Sequence, residues 1–579
     1  MKEIEDTKIQ VQIEKLLQKK IEILSLPSDK ALALIMEEKE PAALVHSIQE
    51  QDLYFLVNDI GPEDALPLLA LASRRQWEFF LDLEIWQRDR IDPASTTHWL
   101  NLLYRANPRQ TLNWLVKEKN NLFEFFLYNN IDVKIREHDQ DPSDFGPGYT
   151  SLDNVFYVRV TGPLTSPESE LGDIEKKNFR EFLSKLMRNV ADSDYIAYQK
   201  ILLETVSGLP AEQEEELYRI RNVRLAEKGF LPWEDAVGVY QPLDPKQVPK
   251  RVSADVSRPS VETVSPVPHY PANLLSNATP LSTSLTRIDS EAVLKKLHIE
   301  FAGLCNRIAA ADFTKMNSKE GLRSVVEKAS GYLSVGLHIL SRESRIGIQS
   351  AGNQFAALVQ RHLLSDIFRV GYSQALKLKW RAQKWLDQAW FAHQGLSLTF
   401  WDEELLGVLG GLLIKKPMFF DNYQTGRIYR DFRSVDDLQQ SESALSDIIA
   451  IDDLLSILDI RLGPLAARRF LTYKNLLLTL WVLDQVGNGK EIRPLKLEEF
   501  RGFFANLWQP EKEYPRVKSE LKRSFLEWLC DRSGLSDFEV TNRLGHVLER
   551  LFSEIEDEYG QVDPIHLDPK YIYLFLLER

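Results

Sequence analysis

The chain is poor in the residues and patterns that announce chemistry. Cys305 and Cys530 are the only cysteines in 579 residues. Two thiols cannot build a disulfide framework or a four-thiolate metal site, and they fit a reducing compartment as small buried hydrophobes. The ten histidines include no pair four residues apart and no His-Glu-x-x-His, which removes the usual zinc patterns. No Gly-x-Gly-x-x-Gly follows a strand pattern, and no Gly-x-Ser-x-Gly elbow is present. Gly487-Asn-Gly-Lys490 lacks the first glycine and the final Ser or Thr of a phosphate-binding loop, so it reads as a turn between helices. The longest apolar runs, Leu405 to Ile414 and Leu476 to Leu483, are about half of the ~20 residues that span a bilayer. They read as buried core helices. The opening segment, MKEIEDTKIQVQIEKLL, lacks the cationic stretch, apolar run and cleavage site of a secretory signal, so the expected setting is cytoplasmic.

Charge is abundant but divided unequally. The net charge is −14, with a sequence pI near 5.4, which argues against a surface built to neutralise nucleic-acid phosphates or anionic lipid. Residues 1–240 hold 28 Lys and Arg against 42 Asp and Glu, whereas residues 289–579 hold 38 against 40. A partner steered to the N-terminal half is therefore expected to be basic or a cation, over a range of ~8 Å at physiological salt.

Between Gln241 and Ile288, Pro242, Pro245, Pro249, Pro259, Pro266, Pro268, Pro271 and Pro280 alternate with Ser and Thr. Such a stretch buries too little apolar surface to offset its ordering entropy, and it predicts a linker or a surface strap dividing the chain.

From Pro27 to Asn130 the pattern is one of short amphipathic helices punctuated by Pro, Gly and Asn-Pro. Leu53, Leu56 and Val57 mark one apolar face, and Trp77, Phe80 and Leu81 another, with Ser73 as an N-cap. Pro62, Pro93 and Pro108 are placed to open helices. Helices this short are marginal alone and must stack on their neighbours, which predicts an α-solenoid.

The segment ALVHSIQEQDLYFLVNDIGPEDALPLLALASRRQWEFFLDLEIWQRDRID, Ala43 to Asp92, resembles the superhelical repeats of the cytosolic N-terminal domain of MgtE-type magnesium transporters. The resemblance covers about a hundred residues and implies a superhelical fold; the transporter's pore has no counterpart, so transport is not implied. At full length, ALASRRQWEFFLDLEIWQRDRID, GFLPWEDAVGVYQPL and YRDFRSVDDL resemble a large uncharacterised bacterial family defined as a domain of unknown function. That resemblance implies a shared architecture and no activity.

Around Val155 to Val160 the pattern becomes β-rich and predicts one short hairpin. Long helical periods then run to the C-terminus and predict a bundle. The expected fold is all-α: a helical-repeat superhelix over 1–135, a β-hairpin with a helical extension over 136–240, the linker or strap over 241–288, and a C-terminal helical domain over 289–579.

Three places merit a chemical reading. Asp139, Asp141 and Asp144 precede Gly146, but Pro142 and the missing sixth-position glycine break the calcium-loop pattern, leaving a solvated acidic turn. Residues 371–391 carry Lys377, Arg381 and Lys384 beside Leu378, Ala382, Trp385 and Ala389, flanked by Trp380 and Trp390. Tryptophan at helical spacing reads as core with a solvated basic back; base stacking is the alternative. In Tyr429 to Asp437, Arg430, Arg433, Asp436 and Asp437 predict an ion-pair network on one helix face, with an anion site as the alternative.

The expectation for function is a non-enzymatic cytoplasmic scaffold or regulatory protein that binds a protein partner, without a cofactor, a membrane span or nucleic acid. A divalent cation on the acidic N-terminal half is a secondary partner. The rival is an enzyme or small-anion-binding protein with its site near Arg430 and Arg433.

Overall fold

The computed structural model describes residues 19–20, 22–24, 26–162, 173–207, 210–228, 230–251, 274–275, 279–314, 318–343, 351–458, 460, 462, 470–487, 492–509 and 515–578. Most of them are helical, and strands occur among them only in small antiparallel sheets of two, three and two strands. This is the all-α class with β insertions that the apolar periodicity predicts. The chain forms two compact units: Met1–Gln241, Val248–Ser330 and Arg345–Phe368 make the first, and Pro242–Gln247, Gly331–Ser344 and Arg369–Arg579 the second.

In the first unit, helices Ser28–Met36, Pro41–Ser47, Glu50–Ile60, Leu66–Leu71, Arg74–Glu84, Pro93–Ala106, Pro108–Lys117 and Asn120–Asn130 follow one another. Each from Ser28–Met36 to Leu66–Leu71 packs on its second neighbour along the chain, because a single short amphipathic helix buries too little surface to stand alone. The caps follow the sequence closely. The Ser73 hydroxyl and the Gln76 side chain satisfy each other's backbone N–H groups, Asp92 accepts from the Ser95 N–H at 2.7 Å, and Asn107 accepts from Gln110 at 3.1 Å. Gln76 also donates to the carbonyls of Val45 and Ile48, both at 2.8 Å, stitching two helices of the stack. Pro62 does not open a helix; it stands in a turn, and the helix begins at Leu66 with Pro67 in its first turn.

The predicted hairpin is a three-stranded sheet. Phe156–Val160 pairs with Thr150–Ser151 on one edge and with Ile131–Ile135 on the other, in the register Ile131 to Val160 and Ile135 to Phe156. The third strand escapes local reasoning because its partner lies across a long connection without a hairpin-turn signal. The helical extension expected within 136–240 includes the two helices Asp173–Ser193 and Tyr195–Ser207. Asp194 divides them, its side chain accepting from the Ala197 N–H at 3.0 Å as an N-cap.

The first unit continues beyond the proline-rich stretch, a division that differs from one drawn at residues 241–288. Helix Glu291–Asp312 buries Phe301, Leu304, Cys305 and Ile308. Its Asn306 accepts from Gln51 at 3.0 Å and donates to the Lys228 carbonyl at 2.6 Å. At the near end of the stretch, Arg251 pairs with Glu300 at 2.6 Å and donates to the His362 carbonyl at 3.0 Å. At its far end, Pro280 opens the short helix Pro280–Leu285 behind a Thr279–Ser282 capping box. Residues 252–273 and 276–278, the middle of the expected linker, lie outside the described residues.

In the second unit, an aromatic cluster of Trp385, Phe391, Phe400, Trp401 and Tyr473 forms one part of the core. Trp481, Phe525 and Phe552 form another. Buried Asp452 holds the first cluster in place, accepting from the Trp385 indole at 3.2 Å and from the Trp390 and Phe391 N–H groups at 2.9 and 3.0 Å. The run Leu405 to Ile414 lies in the helix Asp402–Leu413, as its composition predicts, except for Ile414, the C-cap. Its glycines let the strands Phe419–Phe420 and Tyr429–Arg430 lie flat on it: a Cβ at Gly407 would stand 2.4 Å from the Phe420 ring, and one at Gly411 2.5 Å from the Met418 carbonyl. That hairpin delivers Arg430.

Candidate functional site

Arg430 leaves its strand pointing into a closed ring of acceptors. Its Nε donates to Asp421 at 2.6 Å, and Nη1 and Nη2 donate to the two oxygens of Asp437 at 2.7 and 2.9 Å. The Phe419 ring lies 4.4 Å beneath the guanidinium. Asp421 is fully buried, and its second oxygen accepts from the Thr425 N–H and hydroxyl at 2.7 and 2.8 Å. Burial pushes the Asp421 carboxyl up, but the Thr425 and Arg430 donors prevail and hold it below the usual carboxylate range. Burial likewise works against the charge on Arg430, and the bonds to Asp437 and Asp421 outweigh it, raising its pKa.

Each member is placed by local structure. Ser434 caps helix Val435–Ile457 by accepting from the Asp437 N–H at 3.2 Å, which sets Asp437 in the first turn, where a carboxylate also suits the helix dipole. The predicted shared helix face is thereby corrected: Arg430 is in a strand, Arg433 precedes the cap, and the helix starts only at Val435. Arg433 reaches Asp437 through its backbone N–H at 2.7 Å. Asp436 is exposed. The residue that sequence reasoning misses is Asp421, nine positions from Arg430 across the hairpin; its signal is the Asp-Asn-Tyr-Gln-Thr-Gly turn, with Asn422, Tyr423 and Gly426 at positive φ.

This arrangement fastens the hairpin to the helix. An anion at Arg430 would have to displace Asp437 from a two-point pairing, because all three guanidinium nitrogens already donate to carboxylates.

The remaining candidates are placed as follows. Asp139, Asp141 and Asp144 are exposed, and Asp141 accepts from the Ser143 N–H and hydroxyl at 2.9 and 2.7 Å. Leu378, Ala382 and Trp385 are buried, while Lys377, Arg381 and Lys384 are exposed, so helix Leu364–Leu386 presents an apolar face to the core and a basic back to solvent; Ala389, past its end, is also buried. Residues 488–491, including most of Gly487–Lys490, lie outside the described residues. Among the described residues no three His, Cys, Asp or Glu side chains converge as a metal-ligand set, and no helix is long and apolar enough to cross a membrane.

Fold and site thus define a predominantly helical protein with small β-hairpin insertions, whose most conspicuous charge cluster is an internal ion-pair lock. The chain belongs to DUF6178, a family of unknown function whose model matches residues 10–578. No curated protein and no solved structure matches it.

Proposed function

We propose that the protein is a non-enzymatic scaffold or regulatory protein of the cytoplasm that binds a protein partner through the helical-repeat surface of its first unit. The observation that carries this reading is the packing of successive short helices from Ser28 to Leu71 on their second neighbours. Such stacking makes an α-solenoid with an extended exposed face, the kind of surface repeat proteins use for partners. The excess of carboxylates over residues 1–240 selects a basic partner. The likeness of Ala43 to Asp92 to the superhelical repeats of MgtE-type transporters supports the same architecture and is part of the proposal. An anion site at Arg430 and Arg433 is not favoured, since the guanidinium of Arg430 is already fully engaged by carboxylates.

The test is capture with the immobilised full-length protein from native lysate, followed by rebinding of the purified candidate. A stoichiometric complex that weakens with salt is expected. Failure of every purified candidate to rebind, together with turnover of a small molecule by the isolated protein, overturns the reading.

A further inference from the structure

The second unit holds a cleft of about 350 Å³ lined by Asp402, Leu405, Tyr473, Lys474, Arg550 and, along one helix, Ser553, Glu554, Asp557 and Glu558, with Glu404 at its edge. That volume lies in the ~300–1,000 Å³ range of small-molecule sites. Five carboxylates face two cations. Lys474 takes up two of the five, its Nζ bonding Glu554 at 2.6 Å and pairing with Asp402. Arg550 lies 3.6 Å from Glu404 and shares its charge with Asp447 at 3.5 Å. Asp557 and Glu558 are exposed; the Tyr573 hydroxyl donates to Glu558, while Asp557 has no ion pair among the described residues. The cleft therefore repels anions and retains negative charge after its internal pairings.

A second observation points to a ligand. Tyr473 is 4 % exposed and lines the cleft, and its hydroxyl makes no hydrogen bond among the described residues. Burial, reinforced by the nearby Asp402 charge, pushes its pKa up and keeps the phenol neutral. As a neutral phenol its oxygen can accept from an N–H donor in the cleft. Asp402 sits at φ 66° and ψ 165°, a backbone conformation nearly confined to glycine, and so turns its carboxylate to Lys474 at a conformational cost.

We propose that this cleft binds an organic cation carrying alkylammonium groups, with one ammonium donating to the Tyr473 hydroxyl and another held at Asp557 and Glu558. The model for such recognition is inside the cleft: the Lys474 ammonium already lies between carboxylates of two different segments. The carboxylates are spread along the cleft and no three converge on a metal-sized point, which suits charges distributed along a flexible chain. The same chemistry is offered by a free polyamine and by lysine side chains of a polypeptide. The inference does not depend on the repeat-surface reading of the first unit.

The experiment is calorimetric titration of the full-length protein with spermidine and, separately, with a capped tetralysine peptide, at low ionic strength. Saturable one-to-one binding of at least one probe is expected, spermidine alone marking a free polyamine and the peptide alone a polypeptide segment. The double variant Asp557→Asn, Glu558→Gln should weaken it by about tenfold or more. Tyr473→Phe should weaken it by several-fold while leaving the melting temperature unchanged, since the hydroxyl makes no hydrogen bond to another described residue. Glu291→Gln, on the first unit, should bind as wild type. Absence of saturable binding by both probes overturns the proposal, as does binding that none of the cleft variants alters or that magnesium at equal ionic strength abolishes.

Discussion

Arg430 and Asp437 meet as two parallel N–H to oxygen bonds of 2.7 and 2.9 Å, with only about a tenth of the arginine side chain exposed. Removing the guanidinium leaves Asp437 and the fully buried Asp421 without their counter-charge. Arg430→Gln should therefore lower stability by about 3–5 kcal/mol, against about 0–1 kcal/mol for Arg433→Gln, which leaves the backbone bond to Asp437 intact. Chemical denaturation of both variants checks the order. Millimolar phosphate should not raise the wild-type melting temperature through Arg430, because its guanidinium already donates to two carboxylates.

Trp77 is completely buried, its indole donating to the Leu69 carbonyl at 2.9 Å and its ring meeting Trp114 edge-on. Trp77→Ala should cost about 3–5 kcal/mol, chiefly from the cavity. Trp86, only half-buried under Arg221, should cost less. Denaturant midpoints of the two variants provide the comparison.

Two glycines should respond in opposite directions. A Cβ at Gly371 would lie 1.9 Å from the Tyr332 carbonyl oxygen, whereas one at Gly303 meets nothing within 4 Å. Gly371→Ala should destabilise by about 1–3 kcal/mol or more through forced separation of two helices. Gly303→Ala, in the interior of helix Glu291–Asp312, should stabilise by about 0.5–1 kcal/mol. Thermal melts of the pair test this directly.

Glu124 supplies a pH dependence. It is buried, and that burial, with the Glu204 carboxyl beside it, raises its pKa to about 8 from an ordinary value of 4.5, against the opposing pull of Lys200. The protonated form is favoured in the folded chain, so its contribution is fully present below about pH 4.5 and is lost as the pH rises through about 8. Glu124→Gln should flatten the fall in melting temperature between those values. An unchanged pH profile in the variant would place the titrating group elsewhere.

The sequence made the apolar stripes and caps legible, and these account for the helices around Trp77 and Ser73, where periodicity and capping agree. The start of helix Val435–Ile457 is harder to read, because its exposed face is dense in Asp, Ser and Gln, and a hydrophobic stripe of Leu438, Leu445, Ile448 and Leu455 is broken by buried polar residues. The Arg430 to Asp437 pairing was visible as proximity, yet not as geometry: a strand and a cap replace the helix face that spacing alone suggests. Asp421 and the cleft around Tyr473 were not visible, because hairpin pairing and helix packing, rather than short spacing, bring those residues together.

Gln51 and Asn306 are 255 positions apart, joined by a 3.0 Å side-chain bond inside the first unit. During synthesis at about 5–20 residues per second, the helices around Gln51 are complete roughly 13–50 s before Asn306 exists. The early helices make their contacts with close neighbours and assemble in that interval, while Gln51 remains hydrated and the surface destined for helix Glu291–Asp312 stays open. The order of translation thus gives this unit a vulnerable adolescence, in which the early stack displays an unfinished flank until helix Glu291–Asp312 arrives to cover it.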